Sequence, residues 1–247
     1  MNTIQTLTKL NQMRLYGMEN ALRTVLETKA GYSGEELAAY LAESEWNERE
    51  SRKMNRYLRQ AGFRYPASVE EVDFLHPRGL DQRRFTELAD CSYLKQREDI
   101  LLTGLTGTGK SFLASALGHQ ACTRGWRVRY FSTGKLFEKL QMTRATGAHH
   151  KFLRGLERTD LLILDDFGLW PLNHQNRLDL LEIIEDRHGR RSTLIATQIP
   201  VSEWHDLIGE KTIADAILDR LVHRAHRIEL KGESMRKQKP ETTTKTS

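Results

Sequence analysis

The sequence predicts an α/β protein: a parallel sheet flanked by helices, preceded by a small N-terminal helical domain. Three observations predict it. From about residue 95 onward, short apolar runs alternate with helical patterns, as βαβ crossovers require. One of those runs passes through a glycine-rich turn directly into an apolar helical stretch. The first hundred residues read differently, with Leu7, Leu10, Met13, Leu15, Met18, Leu22, Val25 and Leu26 at near-helical spacing.

In chain order, that spacing predicts helix up to a break at Gly31 and Gly34. A second helix is expected after Ser33, with Glu35 and Glu36 in its first turn. It carries Leu37, Leu41 and Trp46 and runs on to Gln60, before Gly62, Pro66 and Pro77 punctuate a connecting segment. The expected organisation is a small helical domain at 1–65, a linker at 66–80 lying on the next domain, an α/β domain at 81–235 and a disordered basic tail at 236–247. Strands are expected at 100–103, 128–132, 161–165, 193–197 and 227–230, with helices at 111–123, 135–143, 151–158, 177–188 and 213–223. The apolar run Leu161, Leu162, Ile163, Leu164 suits a strand covered on both faces.

Composition is that of an ordinary globular chain: 247 residues, 38% hydrophobic and 29% charged, with a net charge of +5. The positive excess is compatible with a nucleic-acid partner without requiring one. Cys91 and Cys122 are too few for a disulfide framework and lack metal-ligand spacing, so both are expected as buried thiols. No stretch reaches the roughly 18 apolar residues of a membrane span, and residues 1–10 lack a signal-peptide core. The expected compartment is the cytoplasm, with no membrane association.

Gly104, Leu105, Thr106, Gly107, Thr108, Gly109, Lys110 and Ser111 match G-x-x-x-x-G-K-[ST] in full. Glycines allow the backbone N–H groups to turn inward on phosphates. The helix that follows, entered through Phe112, presents its positive end to the anion. Lys110 is expected to reach the β- and γ-phosphates of ATP, and the Ser111 hydroxyl to coordinate Mg²⁺. The alternative, a chance match in a glycine-containing turn, is opposed by the strand before the motif and the helix after it.

A P-loop needs an acid on a neighbouring strand. Leu161 to Leu164 deliver Asp165 and Asp166 at a strand's C-terminal end, where ligands sit in open α/β sheets. Asp165 is expected to hold Mg²⁺ and Asp166 to polarise the attacking water. Many oligomeric P-loop ATPases carry Glu at the second position. The shorter Asp166 reaches the water less readily, so ATP binding with slow hydrolysis is expected. Thr197 and Gln198 end the next strand and can touch the γ-phosphate or position water without adding charge. Arg220 lies on a helix with Asp219, where it is either an arginine finger for a neighbouring subunit or a surface arginine paired with a local acid. Arg236 is either a second γ-phosphate sensor or a tail arginine.

These residues, together with Phe167 and Gly168 after the acids, Leu194 to Gln198, Ile217 to Leu221, and Ala225 to Arg236, carry a family likeness. The chain resembles the IstB-like transposition helper ATPases of bacterial insertion sequences, themselves similar to DnaC-type helicase loaders of the AAA+ class. The N-terminal helical region and the junction Phe63, Arg64, Tyr65, Pro66 share the likeness. The resemblance implies an AAA+ fold with a very short lid, ATP-dependent homo-oligomerisation, duplex DNA binding and recruitment or stimulation of a cognate transposase. It makes Asp165 and Asp166 the Walker B acids, Thr197 and Gln198 the sensor, Arg220 the trans finger and Arg236 the second sensor. Arg224 and Arg227 compete for the finger.

Arg49, Arg52, Lys53, Arg56 and Arg59 recur at spacings of three and four and are the expected DNA contacts, tracking phosphates without base readout. The competing reading is a solvated helix face with Glu45, Glu48 and Glu50 as partners. Lys151 with Arg154, and Lys231, Arg236, Lys237 and Lys239, are further basic candidates. A helicase loader acting on single strands is the alternative function, since it shares the catalytic core. A small-molecule kinase is disfavoured by the sensor strand and by the lack of a second-substrate motif. His149, His150, His223 and His226 raise metal binding, but no Cys or acid stands at ligand spacing beside them.

Overall fold

The computed structural model describes residues 3–235. Two compact units divide the chain, Met1–Arg56 and Tyr57–Ser247. The division falls earlier than the boundary at residue 65 read from sequence. Arg236 and the tail at 236–247 lie outside the described residues.

The first unit is built from α1 (Thr3–Gln12), α2 (Tyr16–Thr28) and most of α3 (Gly34–Ala61). The apolar spacing from Leu7 to Leu26 is thus two helices rather than one. The break is at Arg14, whose φ of 59° is left-handed, with no glycine or proline to announce it. Gly17 lets α2 approach α3 closely: a Cβ there would lie 2.6 Å from the Glu45 Cα. Glu45, buried, accepts from the Gly17 N–H (2.8 Å) and the Met18 N–H (3.3 Å) at the start of α2. Leu15 has no side chain to cap that helix end, so the carboxylate of another helix does so. Burial pushes the Glu45 carboxyl up, but Arg49 and the two backbone donors outweigh it and hold it below the usual range.

The second unit continues through α4 (Gln82–Ala89), α5 (Ser92–Gln96), β1 (Asp99–Gly104), α6 (Lys110–Thr123), β2 (Val128–Ser132), α7 (Thr133–Ala145), α8 (His149–Glu157), β3 (Leu161–Phe167), α9 (His174–Arg187), β4 (Ser192–Thr197), α10 (Trp204–Ile208), α11 (Lys211–Val222) and β5 (Ala225–Leu230). The five strands pair in parallel in the order β2-β3-β4-β1-β5. All five lie where the apolar runs predicted them.

Alternate strand residues enter opposite layers, as the two-residue period demands. Ile100, Leu102, Ile163, Leu194 and Ala196 pack with α4, α6 and the segment after α3. Leu101, Leu162, Leu164 and Ile195 pack with α7, α9 and α11. The segment at 66–80 lies on the first of these layers: Ala67 and Val72 are buried in it, and Val69, Phe74 and Leu80 pack against it. Cys91 and Cys122 are buried and free, and burial pushes their thiols up to about 11 and 12. No described helix is long and apolar enough to cross a membrane.

Candidate nucleotide site

The turn between β1 and α6 follows from its glycines. Gly109, the residue before α6, has a φ of 93°, which a side chain rarely tolerates, and the Arg78 guanidinium occupies the space a Cβ would need. Lys110 Nζ donates to the carbonyls of Gly104 (2.7 Å) and Leu105 (2.9 Å). The ammonium thus lies folded over the loop, and burial lowers its pKa against the opposing pull of Asp165 and Asp166. Thr108 is buried and donates back to Leu105 O at 2.8 Å, closing the turn. The Thr106 hydroxyl donates to Gln198 Oε1 at 2.8 Å, which ties the loop to the end of β4. Phe112 packs into the core beneath.

The two acids occupy an irregularity in the sheet. Leu164 pairs with Ile195 and Phe167 with Thr197, so Asp165 and Asp166 together face the single residue Ala196. The extra residue is a β-bulge, and Asp166 takes a left-handed φ of 56° in it. Asp165 is buried and Asp166 half-exposed. Asp165 accepts from the Tyr130 hydroxyl of β2 and, through Oδ1, from the Asp166 N–H at 2.9 Å. Burial, then the neighbouring Asp165, raises the Tyr130 phenol well above its ordinary value, so it stays a donor. The Thr133 hydroxyl donates to the Asp165 carbonyl (2.9 Å). Thr197 is buried and donates to Phe167 O at 2.6 Å, holding the bulge shut.

A cleft of about 640 Å³ brings together Lys110, Ser111, Asp166, Thr197 and Gln198, with Thr106, Gly107, Gly109 and Phe112 on its loop side. Residues that sequence reasoning did not place there also line it: Arg64, Tyr65, Glu71, Asp73, Arg78 and Met235. Arg78 is fully buried yet bonded to neutral partners, Thr108 O and Asp73 O, both at 2.9 Å. Met235 N donates to Gly107 O at 3.0 Å, laying the end of the described chain on the phosphate loop. Only the junction motif around Phe63 hinted at any of this, and it carried no distance information.

Other candidates lie elsewhere. Arg220 does not line the cleft; it donates to Ala216 O (2.7 Å) and Glu185 Oε1 (2.8 Å). On α3, Arg49 pairs with Glu45 (2.7 Å), Arg52 with Glu48 (3.2 Å) and Lys53 with Glu50 (3.4 Å), while Arg56 and Arg59 are exposed. Among the described residues no cluster of His, Cys, Asp or Glu is arranged to hold a metal ion.

A parallel sheet in this order, with a P-loop after its fourth strand in spatial sequence and acids at the end of β3, defines a P-loop nucleotide-binding domain of the AAA+ type. The solved DnaC helicase loader shares that fold, with a TM-score of 0.55 and 21% identity over 71% of this chain and 99% of that one. The sequence profile of the IstB-like ATP-binding proteins matches residues 8–243, and the chain belongs to that family. The insertion sequence ATP-binding protein y4pL of Sinorhizobium fredii is 47% identical over 94% of this chain and 96% of its own length. The ATP-binding protein of insertion sequence IS1162 from Pseudomonas fluorescens is 40% identical over 82% of this chain and 89% of its own.

Proposed function

We propose that this protein is an ATP-dependent helper of a transposase, which assembles on duplex target DNA and recruits or stimulates the transposase, with ATP hydrolysis controlling the assembly. The observation that carries the reading is the cleft in which Lys110, Ser111, Asp166 and Gln198 converge at the ends of three parallel strands. The insertion-sequence relatives supply the biological setting.

In this reading the loop N–H groups and Lys110 hold the phosphates. Mg²⁺ fits the donors present: the Ser111 hydroxyl and the Asp165 carboxylate are hard oxygens, and a cationic side chain, Arg64, already rests on the acid pair. Bound there, the metal would neutralise phosphate charge. Asp166 accepts the water's proton, and Gln198, held by Thr106, orients the water or reports the terminal phosphate. Arg220 serves a neighbouring subunit once Glu185 releases it. Arg49, Arg52, Lys53, Arg56 and Arg59 form the DNA-facing stripe; Arg49, Arg52 and Lys53 exchange the carboxylates of Glu45, Glu48 and Glu50 for phosphates on binding, and affinity falls steeply with salt.

The test is light scattering and phosphate release with ATP, comparing duplex with single-stranded DNA, and wild type with Lys110→Ala. Large assemblies on duplex that Lys110→Ala abolishes support the reading. Assembly on single strands alone favours a helicase-loader role, consistent with the shared DnaC fold. No response to either nucleic acid rejects the DNA assignment.

A further inference from the structure

Arg64 stands where no P-loop motif calls for a residue. Its segment is anchored by Phe63, whose ring meets Tyr130 edge-on at 6.3 Å and fills the space beside Gly118, where a Cβ would lie 2.5 Å from it. With the backbone held there, the Arg64 guanidinium reaches the C-terminal end of β3. Its Nη1 lies 2.9 Å from Asp166 Oδ2 and 3.7 Å from Asp165 Oδ2, and it lines the cleft beside Lys110 and Ser111. The Tyr65 ring lies beneath the guanidinium, at 5.6 Å.

This pairing is incompatible with the site at work. The guanidinium, 2.9 Å from Asp166 Oδ2, occupies the carboxylate oxygen that an attacking water would have to approach. A divalent cation on Asp165 would also compete with the guanidinium for the same oxygen. Nucleotide brings a compact anion into the cleft, for which a planar guanidinium has a matching donor geometry. The side chain is 44% exposed, and among the described residues its ion pairs are with the two acids and its ring contact is with Tyr65, so it can exchange one anion for another without disturbing the core.

We propose that Arg64 is an additional residue of the ATP site: stored on Asp165 and Asp166 before nucleotide arrives, it transfers to the terminal phosphate and thereby frees Asp166 for the water. The proposal rests on the ATP-site reading above. It adds the stretch after α3 to the P-loop and the sensor strand as a part of this chain that distinguishes ATP from ADP.

The experiment compares wild type, Arg64→Ala and Arg64→Lys in two binding measurements. Titration with fluorescent ATP and ADP analogues in the presence of Mg²⁺ is expected to show Arg64→Ala losing about tenfold or more in ATP affinity, the scale of one charged hydrogen bond. ADP affinity should change less than about twofold, and Arg64→Lys should recover part of the loss. Electron paramagnetic resonance of Mn²⁺ with nucleotide-free protein should show tighter Mn²⁺ binding in Arg64→Ala, because the acids lose their resident cation. Unchanged discrimination between ATP and ADP, or weaker Mn²⁺ binding in Arg64→Ala, overturns the proposal. Retained ADP binding shows that the variant is folded. If wild type binds neither nucleotide, the ATP-site reading itself fails.

Discussion

Tyr130 on β2 donates its hydroxyl to the carboxylate of Asp165 on β3, two strands that run side by side in register from Val128↔Leu161 to Ser132↔Asp165. The contact orients one oxygen of a buried acid while the Asp166 N–H holds the other. Tyr130→Phe keeps the ring packing and removes only the donor. The Mg²⁺-dependent part of ATP affinity should fall about 10- to 100-fold, as for other residues that orient a metal ligand. Affinity measured in EDTA should not change. Calorimetric titration with and without Mg²⁺ checks both.

Asp166 sits in a bulge with left-handed backbone, closer to the cleft than Asp165 and half-exposed. Asp166→Asn should therefore retain ATP binding and lose hydrolysis by roughly 10²-fold or more, the contribution typical of a general base. Phosphate release measured at saturating ATP tests this; equal rates in both proteins would remove Asp166 from the chemistry.

Gly17 is a packing position rather than a turn. Gly17→Ala places a methyl against the Glu45 backbone and presses on the carboxylate that caps α2. Overpacking of this kind costs about 1–3 kcal/mol. Amide hydrogen exchange should show faster opening of α2, with ATP affinity unchanged.

Asp99 begins β1 and accepts from the Thr193 N–H at 2.6 Å, near the buried Arg187. Burial pushes its carboxyl up to about 7 from an ordinary 3.8, despite that bond and that arginine. The folded state therefore holds this proton more tightly than the unfolded chain. The resulting contribution to stability is full below pH 4 and is lost as pH rises from about 4 to 7. Asp99→Asn keeps an acceptor for Thr193 and removes the titration. The stability of wild type relative to Asp99→Asn should fall across that window by up to about 4 kcal/mol. Urea unfolding of both proteins at several pH values measures the difference.

The strands were legible because buried parallel strands are written as continuous apolar runs; Leu161 to Leu164 needed no tertiary information. The phosphate loop was legible because its chemistry demands fixed residue types at fixed spacing. The break at Arg14 was not, since a non-glycine residue adopts the left-handed conformation there with no compositional sign. Nor was the bulge: the sequence shows two adjacent aspartates, and only the pairing with β4 reveals that they share one partner position. Arg64 and Arg78 were invisible as site residues for the same reason. Each meets the cleft through contacts spanning 102 and 30 residues of chain, which no local pattern encodes. The basic stripe on α3 was visible, as were its acids, but which arginines are occupied by Glu45 and Glu48 depends on helix packing.

The most direct measurement is calorimetric titration of wild type and Lys110→Ala with a non-hydrolysable ATP analogue and Mg²⁺. Lys110 now spends its ammonium on the Gly104 and Leu105 carbonyls and is placed to turn onto phosphate. One saturable site on wild type, weakened about 100-fold or more by Lys110→Ala, is the expected result, two charged hydrogen bonds being lost. Equal affinity in the two proteins would contradict the account, because the nucleotide would then be bound somewhere other than this loop.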